Sequence, residues 1–138
     1  MKQDIPFVPV AGVSVVITPA DDALPAASQA LWQVYLLNDN DFALENVIVN
    51  AHGYGLGADG QQVRTSTLRY LFATVPPHTA VPVEPIQAEL FHLNNQYWVS
   101  YYHGPQVFDK KFIFVPDSIV VANLTPVALL QRHGILHS

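Results

Sequence analysis

The segment YYHGPQVFDKKF, residues 101–112, predicts a β-hairpin, because it has the composition of a tight turn with its flanking strands. Residues 97–102 and 107–115 are rich in aromatic and β-branched side chains, which favour strands. The intervening HGPQ contains a glycine and a proline, the residues that tight turns use most. We expect Pro105 at the first central position of a type I turn, within a four-residue loop.

This loop length fixes the register of the hairpin and explains its dense polar side chains as surface. The register pairs Tyr101 with Phe108, Ser100 with Asp109, Trp98 with Lys111 and Tyr97 with Phe112. The stem and ammonium of Lys111 would then cover the indole of Trp98. A Ser–His–Asp triad is disfavoured, because Ser100 and His103 differ by an odd number and project to opposite faces of a strand.

Short segments rich in Val, Ile, Tyr, Phe and Thr, separated by eleven prolines, predict strands through most of the chain. Besides the hairpin, strands are predicted at 13–19, 32–38, 44–55 and 65–75. The NDND turn would join 32–38 and 44–55 in a second hairpin. Segment 80–86 is expected at a sheet edge, because Pro82 and Pro85 cannot donate hydrogen bonds to a neighbouring strand.

Helix is predicted in only two places. The segment QAELF is expected to form one helical turn. Near the end of the chain, Thr125 and Pro126 have the chemistry of a helix N-cap and first helical residue, and Gly134 that of the residue after a helix. A short helix at about 126–133 follows from that pattern.

These elements predict a mainly β fold, an antiparallel immunoglobulin-like β-sandwich of about seven strands with a short C-terminal helix. We find no repeat, low-complexity tract or linker that would divide the chain, so residues 1–138 are expected to form a single domain.

The composition limits the partners of such a domain. It is 50% apolar and only 12% charged, and its net charge is −5 with six Lys or Arg. Nucleic acid and anionic membrane are therefore disfavoured, since both require clustered basic residues. So few charges also leave apolar surface to cover, which favours a homodimer. We expect it to form through Val127, Leu130, Ile135 and Leu136, or through the hairpin face that bears Trp98.

The chain contains no cysteine, so disulfides, thiol nucleophiles and thiolate metal sites are excluded. Asp4, Pro6 and Pro9 interrupt the apolar residues at the start of the sequence, and no run of about 18 apolar residues follows. We therefore expect a cytoplasmic protein.

Three other motifs favour structure over chemistry. GLGADG matches a dinucleotide fingerprint at Gly55, Gly57 and Gly60, but a strand-like segment follows where the motif needs a helix, so we interpret it as an inter-strand loop. His133 and His137 have the spacing of helical metal ligands without a nearby carboxylate to complete a site. DNDFALEN lacks the glycine of a calcium loop and is interpreted as a turn. We predict no metal, no cofactor and no catalytic residues.

The segment RTSTLRY offers the strongest binding signal, because it contains two of the three arginines, Arg64 and Arg69, among Thr65, Ser66 and Thr67. Guanidinium groups beside small hydroxyls bind anions through charge-assisted hydrogen bonds. Together with Lys111 they form the predicted anion-binding set. The alternative is an exposed strand face, on which Thr and Arg are ordinary occupants.

The segments WQVYLLND, LENVIV, TSTLR, EPIQAELFHLNNQYWVSYY and DKKFIFVPDSI resemble a family of short, uncharacterised bacterial proteins, over about residues 32–138. Some members are labelled phenylalanyl-tRNA synthetase alpha subunits. A synthetase core is far longer and richer in arginine than this chain, which argues against that activity here. The resemblance implies no catalytic residue.

Two hypotheses follow for function. The first is a non-catalytic interaction or assembly module, with a possible protein partner, since strand-rich patterning occurs without a converging catalytic set. The second is a protein that binds a small molecule or anion, or an enzyme that acts on one, through Arg64, Arg69 and Lys111.

Overall fold

The computed structural model describes residues 8–20 and 31–138, which form two antiparallel sheets with almost no helix. The mainly β class is therefore confirmed. The expectation about the N-terminal segment rests partly on residues 1–7, which lie outside the described part of the chain. The described residues include no helix that is long and apolar enough to cross a membrane.

The first sheet contains five strands in the order β6-β2-β1-β10-β9. Their bounds are β1 (Val13–Pro19), β2 (Leu31–Asn38), β6 (Thr79–Gln87), β9 (Thr125–Val127) and β10 (Arg132–His137). Strand β6 pairs only with β2 among the described strands, so the proline-bearing segment lies at a sheet edge as predicted. A single turn of 3-10 helix, Ala88–Leu90, follows it and confirms the helical turn predicted there.

The second sheet also contains five strands among the described residues. They are β3 (Leu44–Leu56), β4 (Gln62–Arg64), β5 (Leu68–Val75), β7 (Asn94–His103) and β8 (Gln106–Phe114). Strand β3 is long enough to hold both β4 and β5 along one edge, while β7 and then β8 lie on its other side. The described chain thus has ten strands rather than about seven, because several short strands escape detection by pattern.

The core lies between the two sheets. Alternate residues of the first sheet, such as Val15, Ile17 and Val34, pack in one cluster with Val49 and Phe112 of the second. This sandwich-like packing follows from the period-two alternation of the strands, which gives each sheet one apolar face. The opposite face of the second sheet is therefore left for polar and charged residues.

The hairpin formed by β7 and β8 has the predicted register, including Trp98 opposite Lys111 and Tyr101 opposite Phe108. Its turn is tighter than predicted, because His103 and Gln106 already pair and only two residues lie between them. Gly104 occupies the first central position with φ +58°, and Pro105 the second. A positive φ followed by a proline suits a type II′ turn, which matches the twist of a hairpin better than the predicted type I turn.

The hairpin predicted between 32–38 and 44–55 is wrong, because β2 and β3 belong to different sheets. The NDND turn instead carries the chain from one sheet to the other. The buried side-chain amide of Asn38 donates to the carbonyl oxygens of Phe42, Val75 and Pro76, at 2.9–3.2 Å. Asn38, the last residue of β2, therefore holds this turn both to itself and to the end of β5.

The C-terminal helix predicted at 126–133 is also wrong, because Thr125–Val127 and Arg132–His137 form the hairpin of β9 and β10. Pro126 is accommodated in β9, which pairs only with β10 among the described strands. A Cβ atom on Gly134 would lie 2.6 Å from Cγ1 of Val16. The glycine thus permits close strand packing and does not end a helix.

Candidate functional site

A groove of about 970 Å³ lies on the outer face of the second sheet. Strands β3, β4, β5, β7 and β8 all contribute to it, because their outward residues alternate with those that face the core. All three predicted anion-binding residues, Arg64, Arg69 and Lys111, line this groove. The structure thus brings together side chains that lie as many as 47 positions apart in the sequence. Anion binding itself stays a prediction.

A break between β4 and β5 places Arg64 and Arg69 on one face. They are five residues apart, so they would project to opposite sides of a continuous strand. Residues 65–67 interrupt the strand, and Arg64 then pairs with Tyr54 while Arg69 pairs with Asn50. Tyr54 and Asn50 are an even number apart on β3, so both arginines share the outer face.

A transverse row of four residues crosses the sheet at the middle of the groove. Arg69 pairs with Asn50, Asn50 with Trp98, and Trp98 with Lys111. The Nε atom of Arg69 donates to Oδ1 of Asn50 at 3.1 Å. The Nζ atom of Lys111 lies 4.6 Å from the ring centroid of Trp98, which confirms the predicted contact of the lysine with the indole.

The groove is positively charged. Half of the chain's six Lys and Arg residues line it, and its lining contains no Asp or Glu among the described residues. Within residues 8–20 and 31–138, none of these three cations has a carboxylate within ion-pairing distance. The carboxylate of Asp109 lies beside the groove, where it accepts a hydrogen bond from Nε1 of Trp98.

His52 lies in the same groove, and the positive charges there affect its pKa. Its pKa is lowered from the usual value by partial burial first, and then by the positive charges of Arg64 and Lys111. The imidazole ring stacks against Tyr54, with ring centroids 5.4 Å apart. An anion bound in the groove would offset the part of this lowering that the two cations cause.

Of the three hydroxyl residues between the two arginines, only Thr67 shares the groove with them. Thr65 and Ser66 do not reach the groove; they line a second cavity of about 380 Å³. The Thr65 hydroxyl accepts a hydrogen bond from the Gly53 amide at 2.8 Å, so it serves the backbone. Sequence reasoning missed Asn50 and His52 as lining residues, although their alternation within the predicted strand 44–55 was a signal for a shared face.

Other polar clusters of the described chain join its loops and sheets. The imidazole of His78 lies 2.8 Å from Oδ1 of Asp39 and 2.8 Å from Oδ1 of Asp41. Both aspartates lie in the short connection between β2 and β3, whereas the acidic segment from Leu44 onward belongs to β3 and is not a turn. The carboxylate of Glu84, on β6, accepts hydrogen bonds from the hydroxyls of Tyr70 and Tyr97 in the other sheet, at 2.6 and 2.9 Å.

No described cluster of three or more His, Asp or Glu side chains is placed to hold a metal ion. His133 and His137 both lie on β10, where residues four apart are separated by roughly 13 Å along the strand. This distance is too large for two ligands of one ion. The GLGADG segment joins β3 to β4, as expected for an inter-strand loop.

No family model, no curated protein and no solved structure matches this chain. The family resemblance described above stays a prediction, and the groove is interpreted from its own geometry.

Proposed function

We propose that this protein is a cytoplasmic, non-catalytic binding module that holds a small anionic molecule in the groove of Arg64, Arg69 and Lys111. The observation that supports this function is the convergence of half of the chain's basic residues on one cavity whose described lining has no carboxylate. Guanidinium and ammonium groups hold carboxylates and phosphates by charge-assisted hydrogen bonds, which are stronger than neutral ones.

The arginine geometry also supports recognition of an anion. Arg69 uses its Nε atom on Asn50, which orients the guanidinium and leaves the terminal nitrogens as donors to a ligand. A guanidinium held in this way loses less conformational entropy when it binds. The groove is therefore partly organised before a ligand enters.

A thermal-shift screen with sulfate, phosphate, mononucleotides and small carboxylates tests this function, because a ligand that binds the folded state raises its melting temperature. We expect a concentration-dependent rise that Arg69→Ala and Lys111→Ala each reduce by at least about tenfold in apparent affinity. Lys110→Ala is the matched control: it removes the same charge from the adjacent position, whose side chain does not line the groove. An equal loss in Lys110→Ala, or no rise with any anion, would contradict the proposal.

A second candidate function is self-association or attachment to a protein partner, on a sandwich that we propose to be immunoglobulin-like. Leu71 on β5 and Leu136 on β10 are 69% and 47% exposed, which supports an apolar contact surface. Two of the four C-terminal residues that were expected to form a dimer contribute little to an exposed apolar surface. Val127 and Ile135 are buried within their own chain.

A further inference from the structure

The groove combines its positive charge with an exposed aromatic ring at a fixed position. Trp98 is 38% exposed, and it lies in the transverse row between Asn50 and Lys111. Lys111, its neighbour on one side, and Arg69, at the far end of the row, belong to the proposed anion-binding set. A ligand that reaches Lys111 therefore also lies beside the indole, whereas Arg69 is separated from the indole by Asn50.

Two contacts hold the Trp98 ring: a lysine ammonium lies over one face, and a hydrogen bond forms at the edge. Its Nε1 atom donates to Oδ1 of Asp109, and the ammonium of Lys111 lies over the ring at 4.6 Å. Both contacts restrict the indole to one orientation. A ring that is already oriented provides a stacking surface at low entropic cost.

The width of the groove also exceeds what a bare inorganic anion would fill. Arg69 and Lys111 are separated by three inter-strand steps, roughly 14 Å between their backbones at about 4.8 Å for each step. Asn50 and Trp98 occupy the space between them. A larger molecule is needed to contact the indole and Arg69 together.

From these observations we infer that the ligand is a planar ring that carries an anionic group, with the ring packed on the Trp98 indole and the anionic group held by Arg69 or Lys111. This inference rests on the proposed function and deepens it, since it adds the ring to the anion. A phosphate or a carboxylate would satisfy the same cations, so the ring-bearing anion is the shared chemistry.

The test measures binding by calorimetry and by tryptophan fluorescence with paired probes. Adenosine monophosphate and 2-naphthoate carry a ring with a phosphate or a carboxylate, methyl phosphate and acetate carry the anionic group alone, and adenosine carries the ring alone. We expect at least one ring-bearing anion to bind ten times or more tightly than both its ringless counterpart and, for the nucleotide, adenosine. The arm that binds identifies phosphate or carboxylate as the source.

Trp98→Leu and Trp98→Phe test the position of the ring. Trp98→Leu should bring ring-bearing and ringless anions to equal affinity, and Trp98→Phe should restore most of the difference. Trp32 is buried, so quenching by the ligand should come from Trp98 and be lost in both variants. An unchanged unfolding midpoint in Trp98→Leu would show that the fold is intact.

Three outcomes separate this inference from the proposed function. Equal binding of ringless and ring-bearing anions, sensitive to Arg69→Ala, would overturn the inference and leave the anion site in place. Binding of adenosine as tightly as its monophosphate would overturn the role of the anionic group. Failure of every probe to bind would overturn both proposals together.

Discussion

The hydroxyl of Tyr97 donates to Oε2 of Glu84 at 2.9 Å, which joins the two sheets through a polar contact at the margin of their apolar core. Tyr97 is only 2% exposed, and the pKa of its hydroxyl is raised well above the usual value by burial, with the carboxylate of Glu84 as the next cause. The hydroxyl therefore stays protonated and acts as a permanent donor.

Removal of the carboxylate should destabilise the fold more than removal of the hydroxyl. Glu84→Ala leaves the buried Tyr97 hydroxyl without its acceptor and should cost about 1–3 kcal/mol. Tyr97→Phe removes the hydroxyl itself, so that no buried donor is left unpaired, and should cost about 1 kcal/mol. Urea unfolding of both variants and of the double variant measures the coupling. Additive effects of the two substitutions would contradict a direct contact.

The His78 contacts should make stability depend on pH in a defined direction. The pKa of His78 is raised in the folded state, by its hydrogen bond with Asp39 first and that with Asp41 next. The protonated form is therefore favoured by folding, and its contribution is fully present below the unfolded pKa of about 6.5 and lost as pH rises through the folded value.

His78→Asn tests this contribution, because asparagine tolerates the positive φ of 51° at that position. Unfolding free energies across pH 5–9 should fall less with rising pH in the variant than in the parent protein. His103→Asn is the control, as it removes an exposed histidine elsewhere. An equal pH dependence of the unfolding free energy in the parent protein and in His78→Asn would contradict a stabilising role for the contacts of His78 with Asp39 and Asp41.

Tyr101→Ala should be among the most destabilising substitutions of the hairpin. The ring is 2% exposed and stacks on Phe108, and its burial raises the hydroxyl pKa to about 12. We expect a loss of ~3–5 kcal/mol in chemical unfolding, as for other large aromatic truncations. His103→Ala should cost far less, since its ring is exposed and contacts only Phe42 among the described aromatic residues.

Sulfate should bind the groove more tightly as pH falls. Bound sulfate favours the charged form of His52, so the pKa of this residue should be higher in the complex than in the free protein. Affinity then increases as pH decreases from the bound value to the lower free value, and it levels off below that. Calorimetry at several pH values measures the trend, and His52→Gln should abolish it. Sulfate keeps its charge over this range, so the ligand does not contribute.

Self-association is tested by sedimentation equilibrium at micromolar concentration. We expect a mass of two chains, and a mass of 15.2 kDa at every concentration would contradict the dimer. Removal of residues 126–138 is not a usable test, because β10 lies inside its sheet, between β1 and β9. Leu136→Lys and Leu71→Lys instead introduce a charge on either exposed surface, and the variant that dissociates locates the contact.

The sequence predicted features whose causes are local. The register of the β7–β8 hairpin followed from a short turn between two aromatic strands, and the edge position of β6 followed from its prolines. The same local reasoning failed at Thr125 and Pro126, because a residue pattern that begins a helix also occurs at an edge strand. The pairing of β10 with β1, far away in the sequence, distinguishes the two.

The candidate site was predicted in part for the same reason. Residue type identified Arg64, Arg69 and Lys111, but type says nothing about which strands are neighbours. The position of His52 and Trp98 beside them depends on the pairing of β3 with β7, which joins Asn50 to Trp98, 48 positions apart. Long-range pairing of this kind is not encoded in any short window of the chain.

The length of the interruption at residues 65–67 determines on which face of the sheet Arg69 lies, whatever residues the interruption contains. If one residue were deleted there and β5 shifted by one position along β3, Arg69 would move to the core side and Leu68 or Tyr70 would take its place on the outside. Such a protein would keep every basic residue and yet lose the groove's charge pattern. A change in loop length at this point would therefore alter the charge of the groove more than most single substitutions of the exposed residues.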